Sequence, residues 1–426
     1  MTISAPAIIL VDPVRQGRPF KAAARDLGFS VVSLYTHDYL ASLPGHAEGD
    51  DLSLYPADPH EAHRLITAAG VDARAVVPCL EAGVHLTDVL ADRLGLPGND
   101  HTLAWARRNK AAMREHAAQA GVRIPEFRLV RSRSDIAAAA HEVGFPVIVK
   151  PTLGAGSQGV RVFSTAADLD AQGPPVTHDV YREPVREWLV ERYVRGREFA
   201  VNFFSAHGEH RLVDIWEYLR PDDADYDFPL WDIVQIGPEH PDFARVETYT
   251  RGVLSAFGIR RGPSHTEVKC ADDGEFLIEV GARLSGGPAV DLWIAHGGLR
   301  PFHDTIACYL GQRPALVEKP VVFPVRFGSA VVHNEQGPGP LVAVHGAEEA
   351  ARLPGVDSVE LGYAPGEHVP ATHDNVSIPF SAAVHGPDSD TVLATLARIR
   401  SLVRVETRPA AAVDGTDAAT AASSHA

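Results

Sequence analysis

Apolar and polar residues alternate over the first hundred positions in blocks that predict strands followed by helices. The predicted strands are residues 7–12, 29–35 and 73–79, and the predicted helices are residues 20–27, 61–69 and 85–94. Such an order is typical of a parallel sheet with helices on its faces. The turn after the first strand contains no glycine, so this Rossmann-like region lacks the dinucleotide-binding fingerprint.

Beyond residue 100 the pattern changes to a helix-rich linker and then to strand-rich segments. We therefore predict a multidomain protein of the α/β and α+β classes. The predicted units are a Rossmann-like domain (1–100), a helical linker (101–124), a small αβ unit (125–190), a strand-rich unit (191–310), a C-terminal α+β module (311–407) and a tail (408–426). The tail has few bulky apolar residues, which predicts disorder.

Two glutamates are predicted to face each other across a hairpin. Apolar runs flank the sequence Asp-Asp-Gly, which we interpret as a three-residue loop that pairs Ala271 with Glu275. Counting outward places Glu267 opposite Glu279, with Cβ atoms about 4.5–5.5 Å apart. Oxygen ligands at this spacing favour a hard cation such as Mg²⁺. Two carboxylates on a solvated sheet face are the alternative.

A glycine-rich loop follows an apolar strand that ends in lysine. Residues 154–159 read GAGSQG, and residues 160–163 alternate like a strand, so the loop joins two strands. This order is typical of a flap over phosphates and differs from a dinucleotide-binding turn, which opens a helix. Lys150 closes the preceding strand, and we interpret it as a phosphate contact because lysine is seldom buried unpaired. A lysine that reaches past the strand into water is the alternative.

Composition limits the class of partner. The formal net charge is −16, which makes nucleic acid and anionic membranes poor partners. No apolar stretch approaches the length that spans a membrane, and the first residues have no basic start. The three cysteines are too few and too scattered for a disulfide framework or a zinc site. These observations favour a cytoplasmic protein.

Together these motifs resemble the ATP-grasp superfamily over roughly residues 1–310, and most of all its L-amino-acid ligases, which join unprotected amino acids. The matching segments are NKAAMREHAAQAGVRIP, GFPVIVKPTLGAGSQGV, WLVERYVRGREFAVN and GPSHTEVK with FLIEVGARLSGG. The resemblance implies an ATP-grasp fold with residues 125–190 as lid and 191–310 as catalytic unit. It also implies ATP and Mg²⁺ as cofactors, with Mn²⁺ as a substitute, and amino acids as the carboxylate and amine substrates.

The resemblance also implies roles for individual residues. Glu267 and Glu279 match the metal ligands, Arg283 matches the arginine that stabilises the acyl phosphate, and Glu198 matches a ribose-binding carboxylate, for which a salt bridge to arginine is the alternative. The implied ATP contacts are Lys110, Lys150, Gly154, Gly156, Ser157, Gly159, Glu191, Tyr193 and Val194. Independently, His265 lies two residues before Glu267 on the same strand face, where it can contact the substrate or orient the amine. A histidine satisfied by polar neighbours is the alternative.

The implied reaction is ATP-dependent amide formation through an acyl phosphate, with release of ADP and phosphate. Gly281 stands where the wider superfamily carries asparagine, so the binding of a second metal ion stays open. The alternatives are another ATP-grasp ligase or a carboxylase with a non-amino-acid substrate, and a nucleotide-binding protein without turnover. The two substrates stay open, as does the oligomeric state, for which a homodimer is one option.

Overall fold

The N-terminal domain is a parallel sheet with helices on both faces, as the alternation predicted. The computed structural model describes residues 5–171, 176–220 and 230–408. The strand order is β3-β2-β1-β4, with Ile9 packed on one face and Ile8 and Leu10 on the other. The elements are β1 (Ala7–Val11), α1 (Pro19–Asp26), β2 (Ser30–Leu34), α2 (Asp38–Ala41), β3 (Leu52–Leu54), α3 (Pro59–Ala68), β4 (Ala73–Pro78) and α4 (Val84–Arg93).

A helix and an antiparallel sheet follow, and they correspond to the predicted linker and small αβ unit. Lys110 is the first residue of α5, and the Asn109 side chain caps this helix by accepting from two backbone N–H groups. The sheet order is β5-β8-β6-β7, so the boundary predicted between residues 190 and 191 falls inside β8. The elements are α5 (Lys110–Gln119), β5 (Phe127–Val130), α6 (Ile136–Val143), β6 (Val147–Pro151), β7 (Arg161–Phe163), α7 (Ala166–Ala171) and β8 (Trp188–Arg192).

An antiparallel sheet forms the centre of the molecule. Among the described residues its strand order is β13-β12-β9-β10-β11-β14-β18-β16. Strand β11 and helix α8 were not predicted. The elements up to residue 318 are β9 (Arg197–Ala206), β10 (Glu209–Leu219), β11 (Asp232–Ile236), α8 (Phe243–Ala256), β12 (Gly262–Ala271), β13 (Gly274–Gly281), α9 (Ala289–Gly297), α10 (Pro301–Tyr309) and α11 (Ala315–Glu318).

The C-terminal module shares this central sheet, because β14, β18 and β16 extend it and α13 covers it through Val392 and Leu396. The sequence predicts strands around residues 321–327 and 376–386, and the observed strands begin later, β14 at Arg326 and β18 at Phe380. The remaining elements are β14 (Arg326–Val332), β15 (Gly339–His345), α12 (Ala347–Ala350), β16 (Val356–Leu361), β17 (His368–Val369), β18 (Phe380–Gly386), α13 (Ser389–Leu402) and β19 (Arg404–Thr407).

The sequence predicted no membrane-spanning segment and a disordered tail. Within the described ranges, no helix has both the length and the apolar character needed to cross a lipid bilayer. The tail predicted to be disordered lies, apart from Arg408, outside the residues that the structure describes.

Candidate active site

Hairpin β12–β13 places Glu267 directly opposite Glu279, which confirms the predicted pairing. The predicted loop is wrong, however, because Ala271 pairs with Gly274 and leaves two loop residues in place of three. A β-bulge corrects the count: Ile278 is an extra residue in β13 and restores the alignment before Glu279 is reached. Opposed residues share a sheet face, so the two carboxylates converge.

Three cations surround Glu279. The Lys110 ammonium donates a hydrogen bond to Glu279 Oε1 at 2.9 Å. Burial opposes ionisation of Glu279, but Lys110, together with Lys150 and Arg283, lowers its pKa to about 2. Glu267 has a weaker partner, the Tyr218 hydroxyl at 3.5 Å. Glu279 is therefore an ionised carboxylate held by cations, whereas Glu267 makes only a long hydrogen bond.

Lys150 is held in place by a buried ion-pair network. Its Nζ lies 2.5 Å from Glu191 Oε2, and Arg114 Nε donates to Glu191 Oε1 at 2.5 Å. Burial lowers the pKa of Lys150. Arg114 also donates to the carbonyl of Ile278, the bulge residue, at 2.8 Å. The buried Glu191 side chain therefore supports Lys150, and the nucleotide contact expected from the backbone of this segment stays a prediction.

Arg283 is oriented by a carboxylate from the N-terminal domain. Its Nε donates to Glu81 Oε2 at 2.8 Å, and Glu81 follows the carboxyl end of β4. Burial alone would lower the pKa of Arg283, but Glu81 and Glu279 raise it. A Cβ atom at Gly281 would lie 2.8 Å from the Glu81 carboxylate. Glu81 therefore occupies the space beside the glycine that replaces the expected asparagine.

His265 begins a chain of hydrogen bonds that leads away from the glutamates. Its Nδ1 lies 2.9 Å from Asn202 Oδ1, and the Asn202 amide donates to Asp214 at 2.8 Å. The indole of Trp293, on α9, donates to the same carboxylate at 2.6 Å. Because Asp214 accepts from the amide nitrogen, Asn202 presents its oxygen to His265, which places the imidazole proton on Nδ1. The other ring nitrogen, 3.9 Å from Glu267, can then accept a proton.

The glycine loop adopts backbone angles that suit glycine and rests on the C-terminal module. Gly156 and Gly159 have φ angles of +66° and +74°, and Ser157 has +59°. A Cβ atom at Gly159 would lie 2.2 Å from Val176 Cγ2. The Asn375 N–H donates to the carbonyl of Gly156 at 3.0 Å, a contact that the sequence did not indicate.

The remaining expected nucleotide contacts form a second group. Glu198 accepts from Arg220 at 2.6 Å, so the salt bridge considered as its alternative role is present. Lys269 lies 3.3 Å from the Glu198 carboxylate and donates to the Val194 carbonyl at 3.3 Å. Its Nζ also lies 4.5 Å from the ring centroid of Tyr193. Sequence reasoning missed Lys269, although its position two residues after Glu267 on one strand indicates a shared face.

Comparisons with known proteins agree with this geometry. Residues 143–291 match the ATP-grasp domain and residues 336–408 match the L-amino acid ligase C-terminal domain 2. Dapdiamide A synthase of Enterobacter agglomerans is 26% identical over 425 residues, covering 93% of this chain and 95% of that protein. The L-arginine-specific L-amino acid ligase of Bacillus subtilis is 24% identical over 302 residues, covering 69% and 70%.

A solved structure extends the agreement to the fold. The L-amino acid ligase from Bacillus licheniformis superimposes with a TM-score of 0.73 at 20% identity, covering 95% of this chain and 100% of that one. The likeness includes the multidomain arrangement of mixed α/β units. The chain therefore contains an ATP-grasp domain and an L-amino acid ligase C-terminal domain, and its relatives support an enzyme that joins acids to amino acids through carbon–nitrogen bonds, as the sequence predicted.

Proposed function

We propose that this protein activates a carboxylic acid with ATP and joins it to an amine, with amino acids as substrates and a dipeptide or a related amide as product. One observation carries the proposal: Lys110, Lys150 and Arg283 surround a glutamate that stands opposite a second glutamate. Phosphoryl transfer asks a protein mainly for positioning and for neutralisation of charge, and this arrangement supplies both. An intracellular ATP supply places the reaction in the cytoplasm.

The donor set fits Mg²⁺, with Mn²⁺ as a substitute. Glu267 and Glu279 offer oxygen atoms only, and the low pKa of Glu279 keeps one of them charged. These two residues would hold the ion, which when bound neutralises charge on the ATP phosphates. Glu81 lies where the asparagine of other superfamily members would stand, so a full second metal site lacks its usual amide ligand.

The nucleotide would lie between the glycine loop and the central sheet. Lys110 and Lys150 would contact phosphates, beneath a loop whose glycines allow close backbone approach. Backbone groups of Tyr193 and Val194 would hold adenine, and Glu198 would bind the ribose hydroxyls. Since Arg220 and Lys269 already contact Glu198, ribose binding would share this carboxylate with two cations.

The first step transfers a phosphoryl group to the substrate. A carboxylate oxygen of the acid attacks the γ-phosphorus, the bond to the β,γ-bridging oxygen breaks, and ADP leaves. Arg283, fixed by Glu81, would hold the acyl phosphate in place. Closure of the glycine loop would keep water from hydrolysing it.

The second step forms the amide. The amine nitrogen attacks the acyl carbon, a tetrahedral intermediate forms, and phosphate leaves as the carbon–oxygen bond breaks. The nitrogen must lose a proton, and Nε2 of His265 would accept it, because the Asn202–Asp214 chain keeps the other proton on Nδ1. Each group in this scheme belongs to the site described above.

A screen of amino-acid pairs tests the proposal. Phosphate release is measured with ATP and Mg²⁺ for single amino acids and for pairs, and products are identified by mass spectrometry. Release that depends on a pair, with a product mass of the sum minus water, supports the proposal. ADP formation only with bicarbonate would identify a carboxylase, and nucleotide binding without turnover in any pair would identify a binding protein; either result overturns the proposal.

A further inference from the structure

A cluster of two histidines and an aspartate lies outside the catalytic site, where the C-terminal module packs on helix α9. Nε2 of His296 lies 2.7 Å from Asp357 Oδ1, and Nδ1 of His385 lies 2.8 Å from Asp357 Oδ2. The ligand atoms of the three residues all lie within 4.8 Å of one another. The imidazole rings are in contact, with centroids 4.1 Å apart.

The three side chains come from separate elements. His296 is in the last turn of α9, Asp357 is in β16 and His385 is in β18. Asp357 sits at a β-bulge, because Val356 pairs with Val384 while Ser358 pairs with Ala383. A bulge re-aims a side chain that regular pairing would point elsewhere. Here it turns the carboxylate toward both imidazoles.

We propose that His296, Asp357 and His385 form a binding site for a transition-metal ion, with Zn²⁺ as the best match. Two imidazoles and one carboxylate suit zinc and neighbouring first-row metals, whereas Mg²⁺ prefers an all-oxygen set. The side chains are 20%, 23% and 31% exposed, so an ion can reach them and a water molecule can complete the coordination. Binding replaces the two imidazole–carboxylate hydrogen bonds, because each ring nitrogen must turn a lone pair toward the ion.

The position of the site indicates a structural task. Helix α9 begins two residues after the loop formed by Ser285, Gly286 and Gly287, and its Trp293 holds Asp214 in the chain that orients His265. An ion on His296 ties the end of this helix to two strands of the C-terminal module. The bound metal therefore stabilises the folded chain, since it binds a preformed site that the unfolded chain lacks.

The test uses the full-length protein, stripped of metal by chelation and then titrated with Zn²⁺ alone, without nucleotide. Isothermal titration should show about one tight site per chain, and Co²⁺ should give the visible absorption of a four-coordinate ion. The variants His296→Ala and His385→Ala should lose this site. The loss of affinity should exceed the roughly 10–100-fold change that follows removal of an outer-shell partner.

Two variants are matched controls. His303 forms a histidine–aspartate pair with Asp26 at 3.2 Å, and among the described residues this pair is not part of a three-ligand group, so His303→Ala should keep full Zn²⁺ binding. Glu279→Gln should also keep it, which separates this site from the proposed Mg²⁺ pair. Absence of tight Zn²⁺ binding in the wild type, or equal binding in the His296 and His385 variants, would overturn the proposal.

Loss of folding is checked separately. Circular dichroism should show folded metal-free variants, and Zn²⁺ should raise the melting temperature of the wild type but not theirs. If His385→Ala does not fold, Asp357→Asn is the second variant, since it keeps the shape of the side chain and weakens the ligand. A wild-type melting temperature that Zn²⁺ does not change would contradict the proposal.

Discussion

The two ends of the central sheet gather the side chains of the two proposed metal sites in different ways. At the β12–β13 end, Glu267 and Glu279 face each other across one hairpin, twelve positions apart. At the β18–β16 end, Asp357 meets partners 61 and 28 positions away on a helix and a neighbouring strand. One hairpin with a single bulge brings the first pair together, whereas the second cluster depends on how a helix packs on a sheet.

The two ends also differ in their electrostatics. Glu279 is surrounded by three cations that keep it ionised. Asp357 is equally exposed, at 23% of its side chain, but its partners are two imidazoles. The β12–β13 end therefore suits a polyanion bound together with a hard cation. The β18–β16 end suits a softer metal ion that stabilises the fold.

Glu279→Gln should have the largest effect on the first end. We expect ADP formation to fall by roughly 10³-fold or more, because the amide lacks the charge that would hold the metal and balance three cations. Coupled-enzyme assay of ADP and a thermal melt check this. Glu275→Gln is the control, since its carboxylate lies on the same hairpin but pairs with Arg245 near the surface at 2.6 Å. Full turnover by Glu279→Gln would refute the metal assignment.

His265→Gln should separate the two chemical steps. We expect amide formation to fall by about 10²–10⁴-fold, the usual contribution of a general base. Hydroxylamine traps acyl phosphates as hydroxamates, and this trapping should persist. Asn202→Leu should lower amide formation in the same direction, because the imidazole loses the partner that sets its tautomer. An equal loss of hydroxamate and amide would show that His265 acts before the acyl phosphate forms.

Gly156→Ala should affect the contact between the lid and the C-terminal half of the sheet. The new Cβ would lie 3.2 Å from Asn375 Cβ at a φ of +66°, a left-handed conformation that costs about 1–2 kcal/mol for alanine. We expect KM for ATP to rise roughly 5- to 30-fold if that strain opposes closure over the phosphates. Gly28→Ala is the control, with a φ of +84° and no atom within 4 Å, and it should change stability but not KM.

Asp12→Asn should have the smallest effect on turnover, and it tests the raised pKa of Asp12. Asp12 is fully buried, its hydrogen-bond partners are both groups of Thr36, and burial raises its pKa from 3.8 to about 6. Since the charged form is disfavoured in the folded state, the free energy of unfolding should fall as pH rises from about 4 to 6. Above pH 6 this contribution should stay constant.

The measurement is urea unfolding between pH 4 and 7. Relative to Asp12→Asn, the wild type should lose up to about 3 kcal/mol of stability over this range. Asparagine tolerates the left-handed φ of +56° at this position, so the backbone is not expected to change. Parallel curves for the two proteins would contradict the assigned pKa.

Much of the fold was predictable because its determinants are local. Apolar runs alternating with helical stretches predicted the parallel sheet, and the spacing around the Asp-Asp-Gly turn predicted the opposed glutamates. The continuity of the C-terminal strands with the central sheet was not predictable, since strand β14 pairs with β11 across about ninety positions of intervening chain.

The contacts that support the site residues also could not be predicted from the sequence. Glu81 reaches Arg283 across 202 positions, and Lys110 reaches Glu279 across 169. No periodicity encodes such distances. The roles of Arg283, Lys110 and Glu279 were inferred from resemblance or strand position, and the structure adds the contacts that hold each one.

The extra residue at Ile278 has a consequence for anyone who edits this hairpin. Deleting it would remove the bulge and leave Glu279 opposite Glu267 in a regular ladder, since Leu277 already pairs with Val268. It would also withdraw the carbonyl that anchors Arg114. The bulge therefore serves the buried network behind Lys150, because Arg114 binds both the Ile278 carbonyl and Glu191.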